Sequence, residues 1–256
     1  EGYPIGNDVT SDKAIRQSIN IAIDRQALVD GVLQGLGTPA YSVADKLPWW
    51  NSDTVFEDGR MEEAKTMLDE AGWVVNSQGV REKEGVLAQF TLIYPAGDQV
   101  RQSLSLAFAE MIKPLGIDVT TEGKSWNEIE RLMYSQPVMM GWGSYTPLEM
   151  YNLYSSNTKG IGYYNVNHYS NPVVDGYMDK ALKSLTQKEA YEYWKKAQWD
   201  GETGFFAIGD APWAWLVNLK HFYFVNENLE IGEQKIQPHG HGWPITDSIH
   251  QWHWKE

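Results

Sequence analysis

The sequence predicts an α/β fold, with a mixed sheet flanked by helices. Two observations carry this prediction. Residues 90–94 alternate in the manner of a strand, a helix begins at Asp98, and residues 117–121 return to a strand. A strand followed by a helix and a second strand is the usual unit of a sheet with crossover connections. The length of 256 residues is sufficient to bury a substantial core.

The elements before residue 90 are delimited by capping and breaking residues. A helix is predicted from about residue 12, capped by Ser11 or Thr10, and it continues or restarts at Asp24. Three residues end this helical region: Gly35, Gly37 and Pro39. Two further elements are expected before the central strand: a helix over residues 60–71 and a hairpin tip over residues 74–80.

The helix that begins at Asp98 is expected to bury five apolar residues on one face, namely Val100, Leu104, Phe108, Met111 and Ile112. Beyond it, periodicity and breakers predict an alternation of strands and helices followed by a largely helical region. The predicted strands cover residues 117–121, 138–142 and 213–225, and the predicted helices cover residues 126–134, 148–155, 172–185 and 187–199.

Composition excludes several functional classes. The formal charge of −13 disfavours binding to nucleic acid, because proteins that bind phosphate backbones concentrate Lys and Arg. The sequence has no apolar run of the ~20 residues that a transmembrane helix needs. The absence of Cys excludes disulfides, thiolate metal sites and Cys nucleophiles. The 12 Trp residues suit a core, and they also suit a surface that grips a ligand.

The sequence does not favour an enzyme. It contains neither a Gly-x-Ser-x-Gly elbow nor a phosphate-binding Gly-x-x-x-x-Gly-Lys-Ser/Thr loop. A glycoside hydrolase needs two carboxylates that flank a sugar. Glu128 and Glu130 are two residues apart on a predicted helix, so their side chains point in different directions. We therefore expect a binding protein that uses no cofactor.

Several segments, in order along the chain, resemble one family: the extracytoplasmic solute-binding proteins of ABC importers for peptides and nickel, or solute-binding family 5. The resemblance covers roughly residues 10–185. It rests on residues 14–29 (AIRQSINIAIDRQALV), 35–40 (GLGTPA), 63–73 (EAKTMLDEAGW), 115–119 (LGIDV), Trp126 and 171–175 (NPVVD).

The resemblance implies one lobe of a two-lobed, periplasmic-binding-protein-like receptor that closes on its ligand. Residues 1–200 are expected to form the second lobe, and residues 201–256 a Trp/His-rich C-terminal return segment packed on it. Full-length members are about twice as long, so half of the binding site would lie outside this sequence. The resemblance also implies a monomer outside the cytoplasmic membrane, either periplasmic or a cell-surface lipoprotein, with a membrane permease as its partner.

Candidate binding residues lie where predicted strands end, because ligands of open α/β sheets bind beyond the carboxyl ends of strands. Trp142 ends a predicted strand, and Ser144 and Tyr145 follow it. Peptide-binding relatives carry an Asp near this position, and the Gly-x-Tyr-x-Pro pattern here is closer to the nickel-type relatives. The other candidates at strand ends are Trp126, Tyr94 and Arg101.

Each candidate has a structural alternative. Trp142 could cover the sheet edge and Trp126 could pack a helix on the sheet, whereas Arg101 could be either a ligand for a carboxylate or a solvated helix residue. His239 and His241, separated by a glycine, could bind nickel or could belong to a packed tail. The ligand is expected to be a peptide first, nickel or a nickel chelate second, and an oligosaccharide third.

Overall fold

The computed structural model describes residues 4–143, 146–234 and 244–255. The first helices follow the predicted order. Helix α1 spans Lys13–Ala22 and α2 spans Arg25–Leu33. The predicted caps of α1 are wrong, because it is the Asp12 side chain that accepts the free backbone N–H of Ala14, at 2.8 Å. Asp24 caps α2 in the same way, so the helical region restarts at this residue.

Helix α3 spans Met61–Glu70, as the sequence predicts. The hairpin that follows is formed by β2, Val74–Val75, and β3, Arg81–Lys83, and β4, Val86–Leu87, extends it to three antiparallel strands. Earlier in the chain, β1 covers Gly37–Pro39.

The centre of the fold is a strand–helix–strand unit. Strand β5, Gln89–Pro95, is parallel to β6, Asp118–Lys124, and α4, Gln99–Ile112, connects them. The prediction for the inner face of α4 is correct for Leu104, Phe108 and Ile112, which are buried. It is wrong for Val100, which is 43% exposed because the first turn of α4 reaches the open edge of the sheet.

The predicted strand over residues 138–142 is reduced to a single parallel bridge between Val138 and Ile93. On this side of β5, the N–H of Ile93 donates to the Pro137 carbonyl at 2.9 Å. The next residue of β5 that would donate on this side is Pro95, which has no N–H. The ladder therefore cannot continue, and residues 139–143 run on without strand structure.

The second half of the described chain is mainly helical, in agreement with the sequence. Helix α5 spans Trp126–Leu132, α6 spans Leu148–Tyr154, α7 spans Pro172–Lys183 and α8 spans Gln187–Gln198. Helices α7 and α8 pack on each other, and together with α6 they enclose a cluster around Trp49 and Trp194. A separate core cluster joins α1, α2, α3, α4 and β5.

The predicted strand over residues 213–225 is much shorter. Only β7, Val217–Leu219, is a strand, because its antiparallel partner β1 has three residues. Residues 220–225 are exposed. Further on, β8, Leu229–Glu230, pairs with β9, His253–Trp254, and the short helix α9 covers Pro244–Asp247.

Residues beyond 200 contribute to the body of the fold. Phe205 stacks on Tyr154 with ring centroids 3.7 Å apart, and Leu216 belongs to the core cluster of α1 to α4. The division of the chain at residue 200 stays a prediction. Among the residues that the structure describes, no helix is both long and apolar enough to cross a membrane.

Candidate functional site

The candidate site lies at one edge of the central sheet. Strands β5 and β6 are parallel and in register, so both of their carboxyl ends reach this edge. The segment that follows the Val138 bridge runs parallel to β5 and reaches it too. Helices α4 and α5 begin at the same edge, immediately after the two strands. This arrangement is the usual location of a ligand in an open α/β sheet.

An open depression with a volume of about 500 Å³ marks this edge. Its lining comes from the turn between β5 and α4, residues 95–101, and from Trp126 at the start of α5. The lining is largely polar, with one carboxylate, Asp98, and one guanidinium, Arg101, and Trp126 adds an aromatic side chain to it. Polar groups beside an aromatic side chain at the carboxyl ends of strands could contact a small ligand.

Arg101 is held in place by Asp98. The Asp98 carboxylate caps α4 by accepting the backbone N–H of Arg101 at 2.9 Å, and it also accepts a short hydrogen bond from Nη1 of the Arg101 guanidinium. The Arg101 side chain is 31% exposed. Its Nε and Nη2 donors have no hydrogen-bond partner among the described residues. The guanidinium is therefore oriented by one carboxylate and retains donors for a second anion.

Two glycines give the candidate side chains room. A Cβ atom on Gly141 would lie 2.9 Å from Nη2 of Arg101, so the guanidinium packs against the Gly141 backbone at a place where a side chain would be in the way. A Cβ atom on Gly123 would lie 3.2 Å from the ring of Tyr94, the residue opposite it in the β5–β6 register. Tyr94 and Arg101 thus occupy space that a side chain at either glycine would take.

Trp126 opens α5 and is 47% exposed. A capping box fixes the start of this helix, because the Ser125 hydroxyl accepts the N–H of Glu128 and the Glu128 carboxylate accepts the N–H of Ser125. The Ser125 hydroxyl also donates to the Glu128 carboxylate at 2.7 Å, and this bond, together with that from the Ser125 N–H, holds the pKa of Glu128 below its usual value. The ring of Trp126 meets that of Tyr163 edge to face, with centroids 5.8 Å apart.

Tyr163 is fixed in turn by α5. Its hydroxyl donates to Oε1 of Glu130 at 2.9 Å. Burial, and then this carboxylate, raise the pKa of Tyr163 to about 12, so the hydroxyl remains protonated at neutral pH. The Trp126 wall of the depression is therefore supported by a second aromatic ring.

The other predicted residues have different positions. Trp142 is half-buried and packs against the cluster of α6, α7 and α8, and its Nε1 donor is buried without a partner in the described part of the chain. Ser144 and Tyr145 lie outside the described residues, as do His239 and His241. Within the described ranges, no group of three or more His, Asp or Glu side chains is arranged to hold a metal ion.

The structure thus brings three of the predicted residues to one edge of the sheet: Tyr94, Arg101 and Trp126. Sequence reasoning missed Gly141 and Tyr163, which contact Arg101 and Trp126 respectively. Neither carries a local signal, because Tyr163 is 37 positions from Trp126 and Gly141 is 40 positions from Arg101 in the sequence. That these residues bind a ligand stays a prediction.

Residues 3–164 match the family model for bacterial extracellular solute-binding proteins, family 5. The chain belongs to this family. It is 36% identical to Protein XP55 of Streptomyces lividans over 232 residues, which cover 89% of the chain and 41% of that protein. It is 30% identical to the oligopeptide-binding protein AppA of Bacillus subtilis, over 90% of the chain and 42% of AppA.

Solved structures agree on the fold. NikZ from Campylobacter jejuni, in complex with Ni(L-His), matches with a TM-score of 0.78 at 22% identity, over 96% of this chain and 49% of NikZ. AppA in complex with a nonapeptide matches with a TM-score of 0.71 at 24% identity, over 98% of this chain and 49% of AppA. The fold is that of one lobe of a two-lobed periplasmic binding protein, and the chain spans less than half the length of these relatives.

Proposed function

We propose that this family 5 protein is the substrate-binding component of an ABC-type importer and that its ligand is a peptide. The observation that carries this proposal is the strand-end depression, where Arg101 has donors without a partner in the described part of the chain and Trp126 is exposed. The similarity to AppA, named an oligopeptide-binding protein, supports the same ligand class. The protein works outside the cytoplasmic membrane, as a monomer that is periplasmic or lipid-anchored, and delivers its ligand to a membrane permease.

In this proposal the Arg101 guanidinium binds a peptide carboxylate. A guanidinium presents its donors in a planar fork that matches a carboxylate, and Asp98 already holds that fork in one orientation. Trp126 and Tyr94 offer apolar surface to the rest of the peptide. Trp142, Ser144 and Tyr145 stay predicted contacts from the sequence that follows the Val138 bridge. Preorganised groups lower the entropy lost on binding.

The proposed mechanism is closure of two lobes around the ligand. In this proposal residues 1–200 are the second lobe and residues 201–256 are the C-terminal return segment packed on it. The opposing half of the site belongs to a first lobe, as in receptors that close by a hinge motion. Affinity measured on this lobe is therefore expected to be weak, in the range where NMR titration is the suitable method.

The test is a titration of the 256-residue protein with Ala-Ala-Phe, carrying either a free carboxylate or a C-terminal amide. We expect the free acid to bind more tightly than the amide by roughly tenfold, the size of one charge-assisted hydrogen-bond pair. The substitution Arg101→Gln should remove this difference. The matched control is Lys113→Gln, at the opposite end of α4 on a 67% exposed side chain, which should retain it. Equal affinity for acid and amide in the parent would contradict the role of Arg101.

A nickel chelate is the second candidate ligand, supported by the fold similarity to NikZ in complex with Ni(L-His). A histidine chelate also carries a carboxylate, so the same Arg101 could receive it. His239 and His241 are the candidate protein ligands for the metal. Titration with Ni²⁺ and L-His should show saturable binding that the double substitution His239→Ala and His241→Ala weakens. Binding that survives both substitutions would remove these residues from the proposal.

A further inference from the structure

Building on the proposed function, we propose that Tyr163 is a positioning residue that fixes Trp126 as an apolar wall. This wall selects peptides with a large apolar side chain next to the carboxylate. The observation that supports this proposal is that Tyr163 contacts helix α5 at two points. The Tyr163 ring meets Trp126 edge to face, and its hydroxyl donates to Glu130.

The spacing along α5 makes the two-point contact possible. Trp126 and Glu130 are four residues apart, so their side chains share one face of the helix. The 5.8 Å ring contact and the 2.9 Å hydrogen bond together restrain both the distance and the rotation of the Tyr163 ring. An edge-to-face pair alone restrains orientation only weakly, so the hydrogen bond is needed to fix the ring.

Tyr163 is also anchored from its own side of the contact. It packs against the small core cluster of Ile93, Ile129, Met133 and Val166. The Tyr134 hydroxyl donates to the carbonyl of Gly162, the preceding residue, at 2.8 Å. Gly162 itself has a φ of 57°, a conformation that favours glycine. Tyr163 therefore joins a fixed loop to α5.

The consequence for the site follows from where Trp126 lies. Trp126 lines the depression together with Arg101, so a ligand carboxylate bound at Arg101 places its neighbouring side chain in the same depression. About 500 Å³ is enough for a large side chain with part of the peptide backbone. A fixed aromatic ring stabilises such a side chain more than a ring that rotates freely, because less entropy is lost on binding.

The test compares Ala-Ala-Phe with Ala-Ala-Ala and uses the ratio of their dissociation constants as the measure of selectivity. The parent should prefer Ala-Ala-Phe. Tyr163→Phe keeps the ring and removes the hydroxyl, and we expect it to reduce the preference by about fivefold, the size of the one hydrogen bond that is lost. Binding of Ala-Ala-Ala should change little, since the methyl side chain does not use the wall.

Three variants sharpen this comparison. Glu130→Ala removes the acceptor and should reproduce the loss of preference, whereas Glu130→Gln keeps an oxygen acceptor and should largely restore it. The matched control is Tyr164→Phe, next along the chain and 37% exposed, whose hydroxyl makes no hydrogen bond in the described part of the chain. Tyr164→Phe should keep the parent preference.

A readout without ligand separates positioning from general stability. In protein labelled with 5-fluorotryptophan, the ¹⁹F resonance of Trp126 is assigned by its loss in Trp126→Phe. Tyr163→Phe and Glu130→Ala should shift this resonance, and Tyr164→Phe should not. If Tyr163→Phe leaves both the resonance and the preference unchanged, the inference is wrong while the proposed function stands. If the parent binds none of these peptides, the proposed function fails and the inference fails with it.

Discussion

Two arginines of this protein lie in opposite environments. Arg25, at the start of α2, has a fully buried side chain. Its guanidinium donates hydrogen bonds to four residues: Asn20, Ala40, Asp58 and Trp215. The guanidinium carbon lies 5.1 Å from the ring centroids of Tyr41 and Phe56. Arg101, at the start of α4, is partly exposed and contacts one carboxylate, that of Asp98.

The difference separates a structural arginine from a candidate binding one. The Nε, Nη1 and Nη2 atoms of Arg25 all donate to acceptors within the protein. Burial lowers the pKa of Arg25, and the hydrogen bond and charge of Asp58 offset part of that effect. Among the described residues, Nε and Nη2 of Arg101 have no hydrogen-bond partner, and Arg101 lines a depression. A saturated buried guanidinium stabilises the fold, whereas an oriented and unsaturated one can bind an anion.

The largest expected effect is on the buried arginine. Arg25→Met should lower the free energy of unfolding by about 3–5 kcal/mol, because Asp58 and several carbonyls would lose a buried partner. Urea denaturation followed by circular dichroism measures this change. Arg131→Met, on an exposed side chain of α5, is the control and should change the stability by less than about 0.5 kcal/mol. A similar small change in both variants would contradict the structural role of Arg25.

The next effect concerns Asp45, which belongs to the same buried region. One of its oxygens accepts from the Tyr41 N–H and from Asn218 of β7, and the other is buried without a hydrogen-bond partner in the described part of the chain. Burial raises the pKa of Asp45 above the ordinary 3.8, although the charge of Arg25 opposes this. The charged carboxylate is therefore less stable in the folded protein than in the unfolded chain.

The sign of the pH dependence follows from this raised pKa. Below 3.8 the carboxyl is protonated in both states, and as the pH rises through the folded pKa the protein loses stability from this group. Asp45→Asn should remove that loss. Its stability relative to the parent should thus increase from pH 4 to pH 8 in urea denaturation. A difference that stays constant over this pH range would contradict the prediction.

A smaller effect is expected where Arg101 rests against Gly141. The substitution Gly141→Ala places a Cβ atom 2.9 Å from Nη2 and should displace the flexible end of the Arg101 side chain. We expect a several-fold loss of affinity for a peptide carboxylate, at a cost in stability of less than about 1 kcal/mol. Gly31→Ala is the control, because no atom lies within 4 Å of its added Cβ. NMR titration of both variants should show the loss of affinity only for Gly141→Ala.

The smallest expected effect completes the comparison of the two arginines. Arg101→Met should change the free energy of unfolding by less than about 1 kcal/mol, because a partly exposed ion pair contributes little. The measurement is the same urea denaturation as for Arg25→Met. A loss as large as that of Arg25→Met would make Arg101 a structural residue and weaken its assignment to binding.

The sequence alone was sufficient for the central strand–helix–strand unit and the main helices, and it placed Tyr94, Arg101 and Trp126 at strand ends, but it predicted no strand at β1, β4, β8 or β9. The β5–α4–β6 unit follows from local periodicity, and Asp98 and Ser125 are local capping signals. The sequence overestimated two strands, over residues 138–142 and 213–225. In each case the neighbouring strand limits the length. The segment 138–142 lies beside β5, where Pro95 lacks the N–H that the next hydrogen bond needs, and the segment 213–225 lies beside β1, which has only three residues.

What the sequence by itself determined is therefore the set of features that depend on neighbours three or four residues away. The tertiary structure decided which distant residues meet: Tyr163 at Trp126, Gly141 at Arg101, and the Trp215 carbonyl at Arg25. The physical reason is one of range. The periods of helices and strands depend on residues that are close in sequence. The hydrogen bond from Arg25 to the Trp215 carbonyl joins residues 190 positions apart, so it forms only when the core packs.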